Sequence, residues 1–131
     1  MLYITIAETD IPTTHYPYNR LTKKVVYIMK ILFLCSQNKK RSLTAEKIFD
    51  GMDGHAVRSA GTERNARIKV TPGLIGWADI IYCMEKKHVR RIKENYSELL
   101  ITKEVICLNI PDEYELMDDE LVNLLQSMVL I

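Results

Sequence analysis

Ile31-Leu32-Phe33-Leu34-Cys35-Ser36-Gln37-Asn38-Lys39-Lys40-Arg41-Ser42 runs from an uncharged apolar tetrapeptide into a polar, cationic stretch and stops where a helical pattern begins. The apolar run predicts a buried strand. After Ser42, Leu43, Ala45, Ile48 and Phe49 recur at helical spacing, and Gly51 supplies a stop. The intervening residues therefore leave the carboxyl end of a strand and enter a helix N-terminus, where unpaired N–H groups and the helix dipole favour an anion. A tight turn of this length can aim successive N–H groups at one point, forming a nest for an oxyanion.

Outward from this stretch, strand and helix signals alternate. His55 to Ser59 predicts a second strand ending at Ala60-Gly61-Thr62, and the charged stretch Glu63 to Lys69 reads as a loop. Thr71-Pro72 is an N-cap followed by proline at the first helical position, opening a short helix to about Trp77. Ala78 to Cys83 predicts a buried strand, Glu85 to Tyr96 a helix with Val89 and Ile92 inward, and Glu104 to Ile110 a fourth strand. Pro111 to Tyr114 reads as a loop, and Met117 to about Met128 as a final amphipathic helix. The expected architecture is α/β: a small four-stranded, mostly parallel sheet with helices on both faces, three-layered and Rossmann-like. Ligands in such sheets bind beyond the carboxyl ends of the strands.

Residues 1–28 do not fit this pattern. Leu2, Ile4 and Ile6 alternate like a short strand, but Ile11 to Asn19 is turn-rich, with two prolines. The expectation is an extension on a domain spanning residues 29–131, disordered or even an in-frame read-through upstream of a start at Met29.

The 131 residues, 47% hydrophobic and 27% charged with only 5 Gly and 4 Pro, fit one globular domain. A net charge of +1 excludes a global field that would draw the chain to nucleic acid or membrane, so an anionic ligand must be held locally. No apolar stretch approaches the roughly 20 residues that span a bilayer. No secretory signal is read at the start, and the expected compartment is the cytoplasm. Cys35, Cys83 and Cys107 are widely spaced, and none of His15, His55 and His88 stands at ligand spacing from them, so neither a disulfide framework nor a metal site is expected.

The cationic loop has the form C-x5-R-S. A cysteine at the rim of an anion nest, beside Arg41 and a helix N-terminus, has surroundings that favour the thiolate, which makes Cys35 a candidate nucleophile. The planar fork of Arg41 can hold two phosphate oxygens at once. Ser42 can hydrogen-bond the sulfur, and Asn38 tolerates the left-handed conformation that a sharp loop requires. The bland reading, a buried strand-end cysteine and a solvated arginine, is outweighed by this combination of loop, strand and helix.

At these residues the chain resembles the low-molecular-weight protein tyrosine phosphatase family. Cys35, Asn38, Arg41 and Ser42 stand where that family has C-x-x-N-x-x-R-S, and the likeness extends through Ala45 to Phe49, Ser59 to Thr62, Ala78 to Ile81, Met84 and His88 to Arg91. The segment between Thr62 and Trp77 is shorter than in ordinary members, as in a minimal-size branch. The resemblance implies a phosphatase-I-like fold and hydrolysis of a phosphomonoester, protein phosphotyrosine first, through a phosphocysteine, with phosphoarginine or a small molecule as substrates the sequence leaves open. Cys35 would be the nucleophile, Arg41 and the loop residues Ser36, Gln37, Asn38, Lys39, Lys40 and Ser42 would bind phosphate, and no cofactor or metal would take part. The family's acidic loop is matched by Ile110-Pro111-Asp112-Glu113-Tyr114, which makes Asp112 the expected general acid and Tyr114 an aromatic pocket wall.

Two other readings use the same loop: a phosphate- or phosphoprotein-binding module without turnover, and thiol-dependent arsenate reduction. The latter lacks a second cysteine near Cys83. The basic stretch Lys86 to Lys93 reads as a solvated helix face rather than a nucleic-acid footprint.

Overall fold

The computed structural model describes residues 3–5, 18–19 and 24–131, with side chains from residue 28 onward. Seven strands and four α-helices are present among them. They are β1 (Tyr3–Thr5), β2 (Tyr18–Asn19), β3 (Lys24–Ile28), β4 (Lys30–Cys35), α1 (Arg41–Phe49), β5 (Ala56–Gly61), α2 (Pro72–Trp77), β6 (Ile80–Cys83), α3 (Lys86–Tyr96), β7 (Glu104–Cys107) and α4 (Asp119–Met128).

Every residue of β4 from Ile31 to Cys35 is buried, because the strand is sandwiched on both faces. Its period-2 alternation divides the core. Ile31, Phe33 and Cys35 join Ala45, Phe49, Leu121 and Leu125 on the α1/α4 side, where the Phe33 ring stacks between Phe49 (5.7 Å) and Tyr82 (5.2 Å). Leu32 and Leu34 join Ile75, Ile81 and Ile92 on the α2/α3 side. Burying each such side chain contributes roughly 1.5–3 kcal/mol.

The sheet order is β5-β4-β6-β7, with all three pairings parallel. From β4 the chain first crosses to β5 on one side and later returns to β6 on the other. The carboxyl end of β4 is therefore the topological switch point, where open α/β sheets leave a crevice, and Cys35 sits there. The expected α/β fold, with helices on both faces, is the observed one.

Element ends differ in a few places. The fourth strand stops at Cys107 rather than Ile110, because Asn109 takes φ 54° and breaks the pleat while Leu108 and Ile110 stay buried. On α3 the buried residues are His88 and Ile92, with Val89 only half-buried. The cap at Thr71 forms as expected, its Oγ1 accepting from the Leu74 N–H at 3.1 Å.

In the N-terminal region, β1, β3 and β2 form a separate antiparallel sheet in that order. The expected alternating strand is present at Tyr3–Thr5. Tyr18–Asn19 is a strand rather than part of a turn, and β3 was not anticipated. The rest of the Leu2 to Ala7 alternation and the Ile11 to Pro17 stretch lie outside the described residues.

Candidate active site

The loop between β4 and α1 is shaped by what holds its carbonyls. Those of Cys35, Ser36 and Gln37 accept from the N–H groups of Thr62 (2.9 Å), Glu63 (2.9 Å) and Arg67 (2.9 Å). The Asn38 carbonyl accepts from Arg67 Nε at 3.0 Å. Four successive carbonyls thus turn toward the Thr62 to Arg67 strap. In contrast, the N–H groups of Gln37, Lys39 and Lys40 make no hydrogen bond within the described part of the protein, which is the donor arrangement of an anion nest. The strap can lie this close because Gly61 has no side chain: a Cβ there would stand 2.5 Å from the Ser36 carbonyl oxygen.

Asn38 is the keystone, fully buried at φ 58°. Its Nδ2 donates to Ser42 Oγ (2.8 Å) and to Ser59 Oγ (2.8 Å), while its Oδ1 accepts from Arg67 Nη2 at 2.8 Å. A guanidinium can only donate, so the Arg67 contact fixes which side of the amide is oxygen. Ser59 passes the chain on by donating to Glu46 Oε1 at 2.7 Å. All these groups are satisfied, as a buried polar network requires.

Cys35 is 3% exposed, its Sγ 2.9 Å from Ser42 Oγ and accepting from the Asn38 N–H at 3.3 Å. Ser42 Oγ accepts from Asn38 and has two acceptors within reach of its own proton, the Cys35 sulfur at 2.9 Å and the Ala60 carbonyl at 3.4 Å. Arg41 is 2% exposed. Its Nη1 donates to Glu85 Oε2 (2.5 Å) and to the Ile110 carbonyl (2.9 Å). Among the described residues nothing accepts a hydrogen bond from its Nε or Nη2, the edge that grips an anion in bidentate fashion. Burial raises the Glu85 carboxyl, but the Arg41 hydrogen bond and charge outweigh it and hold the group below its ordinary value.

A cavity of about 180 Å³ opens on this edge. Cys35 and Arg41 line it together with Ser36, Gln37, Lys39 and Lys40 of the loop. From other elements come Glu63, Lys87 and Asp112, with Asp112 Oδ1 3.7 Å from Arg41 Nε. Lys40 leans away, its Nζ 3.1 Å from Glu115 Oε1.

No protein-family model and no curated protein matches the chain. Solved structures do. The tyrosine phosphatase Wzb from Escherichia coli K30, crystallised with phosphate, superposes with TM-score 0.64 at 20% identity, over 77% of this chain and 93% of that one. SP-PTP, a low molecular weight protein tyrosine phosphatase from Streptococcus pyogenes, gives 0.58 at 17% identity, over 79% and 95%. The YwlE arginine phosphatase from Geobacillus stearothermophilus gives 0.58 at 20%, over 75% and 88%. The fold is that of the low-molecular-weight protein tyrosine phosphatases.

Within that phosphatase fold, not every residue selected from sequence lines the cavity. Asn38 and Ser42 are buried behind the loop, and their side chains shape it rather than face a ligand. Tyr114, expected as an aromatic wall, packs half-buried against the α1/α4 core and is not among the described residues that line the cavity. Conversely, the sequence reading gave no role to Glu63, Arg67, Glu85, Lys87 or His88. Cys83 and Cys107 are register partners on β6 and β7 and do not line the cavity. Burial pushes the Cys83 thiol up to about 12.

His88 closes the site from below. Its Nδ1 accepts from the Glu85 N–H at 3.0 Å, which places the proton on Nε2, 2.9 Å from Ser36 Oγ. Burial, then the Arg41 charge, lowers its pKa to about 4. Between pH about 4 and the ordinary 6.5, the unfolded chain therefore binds a proton that the folded protein refuses. Stability from this group is complete above that window and is lost as pH falls through it. Urea unfolding at pH 7 and pH 4.5 is expected to show about 2 kcal/mol less acid sensitivity in His88→Gln than in the wild type. Equal acid sensitivity would refute the buried neutral imidazole.

Proposed function

We propose that the domain hydrolyses phosphomonoesters, with protein phosphotyrosine as substrate, through a phosphocysteine intermediate. One observation carries this reading: Cys35, the unpaired loop amides and Arg41, whose Nε and Nη2 donate no hydrogen bond among the described residues, all belong to one small cavity, with Asp112 beside Arg41 Nε. The amides and Arg41 Nε and Nη2 hold the phosphoryl oxygens while Sγ attacks phosphorus in line. Asp112 protonates the departing phenolate, then takes a proton from the water that cleaves the S–P bond, releasing inorganic phosphate. The proposed catalytic groups are Cys35, Arg41 and Asp112, with the backbone of Ser36 to Ser42 as the phosphate cradle. The cradle's positive charge comes from the chain itself, so the proposed reaction requires no cofactor.

We place this activity in residues 29–131, with residues 1–28 as an extension, because all four strands of the parallel sheet and all four described helices follow Met29. No described helix is long and apolar enough to cross a membrane. A free nucleophilic cysteine suits a reducing compartment, and we assign the protein to the cytoplasm.

Hydrolysis of p-nitrophenyl phosphate and of a phosphotyrosyl peptide tests the reading, and no turnover of either by wild-type protein overturns it. Asp112→Asn is expected to lower kcat for phenyl phosphate about 10²–10³-fold, with a smaller loss for p-nitrophenyl phosphate, whose leaving group needs less protonation. Equal losses for both esters would move the acid elsewhere. The likeness to an arginine phosphatase supports phosphoarginine as a second substrate reading. A phosphoarginyl peptide in the same assay separates the two.

A further inference from the structure

A second groove of about 250 Å³ adjoins the catalytic cavity, and the two share Ser36, Glu63 and Lys87 as a common wall. Its far side is formed by Arg90, Arg91 and Glu94 of α3, with Thr62 at its base. On a chain of net charge +1, six cations against three carboxylates line the two hollows together. Neither Arg90 nor Arg91 forms an ion pair among the described residues, although Glu94 lies at helical spacing from both. The phosphate cradle accounts for Arg41, and Glu115 for Lys40, but nothing in the proposed chemistry uses the two arginines of α3.

Resting on the phosphatase reading above, we propose that this groove is a subsite for an acidic side chain flanking the phosphorylated residue of a protein substrate. With the phosphoryl group in the cavity, the substrate chain crosses the Ser36/Lys87 wall, and an aspartate or glutamate beside the phosphoresidue meets Arg90 and Arg91. Charge complementarity favours this occupant: the groove carries three cations to two carboxylates, and two of the three cations are arginines, whose forks match carboxylate geometry. A small aryl phosphate reaches only the cavity and ignores the groove.

The test compares phosphotyrosyl peptides carrying Glu or Gln on either side of the phosphoresidue, with p-nitrophenyl phosphate as control. Wild-type protein is expected to show about 10-fold higher kcat/KM for the Glu peptide, carried by KM and shrinking between 0.05 and 0.5 M salt. Arg90→Ala/Arg91→Ala should abolish that preference while leaving p-nitrophenyl phosphate turnover within about two-fold. Arg90→Glu/Arg91→Glu should reverse it toward a Lys-flanked peptide. Turnover of the aryl ester with no preference among peptides overturns the subsite alone and leaves the arginines as a solvated helix face. If nothing is turned over, the phosphatase reading fails. Fluorescence anisotropy with the same peptides then decides the subsite, and equal binding of Glu and Gln peptides overturns it.

Discussion

Cys35→Ser is expected to abolish turnover, lowering kcat for aryl phosphates by at least about 10⁴-fold while the protein stays folded and still binds phosphate. The substitution removes only the nucleophilic sulfur. Serine has nearly the same volume, and residue 35 is 3% exposed with hydrogen-bond partners, Ser42 Oγ and the Asn38 N–H, that suit an oxygen as well as a sulfur. The amides and the guanidinium that would hold phosphate are untouched. The measurement is kcat with equilibrium phosphate binding and Tm on the same preparation. Loss of activity with retained binding identifies the chemical step. Activity within 10-fold of wild type would falsify the phosphocysteine mechanism outright.

Arg41 separates charge from shape. Arg41→Lys keeps a cation in the cradle but loses the Nε/Nη2 edge, and kcat/KM should fall about 10²–10³-fold. Arg41→Ala should cost at least as much activity and stability as well. Arg41 is 2% exposed and Glu85 30%, so removing the arginine strands the Ile110 carbonyl and leaves the half-buried Glu85 carboxylate with the longer Lys87 contact at 3.8 Å, a loss of about 1–3 kcal/mol. Kinetics and urea midpoints for the two variants check both parts. A lysine variant as active as wild type would show that only the charge matters and that bidentate grip does not.

The regular elements were largely legible because their signals are local. The four uncharged apolar residues Ile31 to Leu34 mark a buried strand in the sequence, and Thr71-Pro72 marks the start of α2. The boundary at Cys107 was not legible. Leu108 and Ile110 are as apolar as the strand before them, and apolar pattern does not distinguish a ladder residue from a coil residue that faces the core. The turn at Asn109 decided that. Tyr114 shows a related limit: an aromatic near a site has two places to bury its ring, and here it packs against the α1/α4 core.

By itself the amino-acid sequence determined the anion loop, because everything it needs lies within a few residues: a strand end, a residue tolerant of positive φ, a helix start, and a cysteine and an arginine on its rim. What holds that loop in shape, and which charges line the cavity beside it, comes from residues far along the chain. Arg67 reaches Asn38 across 29 residues, Glu85 reaches Arg41 across 44, and His88 reaches Ser36 across 52. In the linear chain these three are ordinary members of charged, solvent-like stretches. A hydrogen bond acts over about 3 Å, so a polar residue acquires its role only when the sheet and its crossovers bring a partner that close.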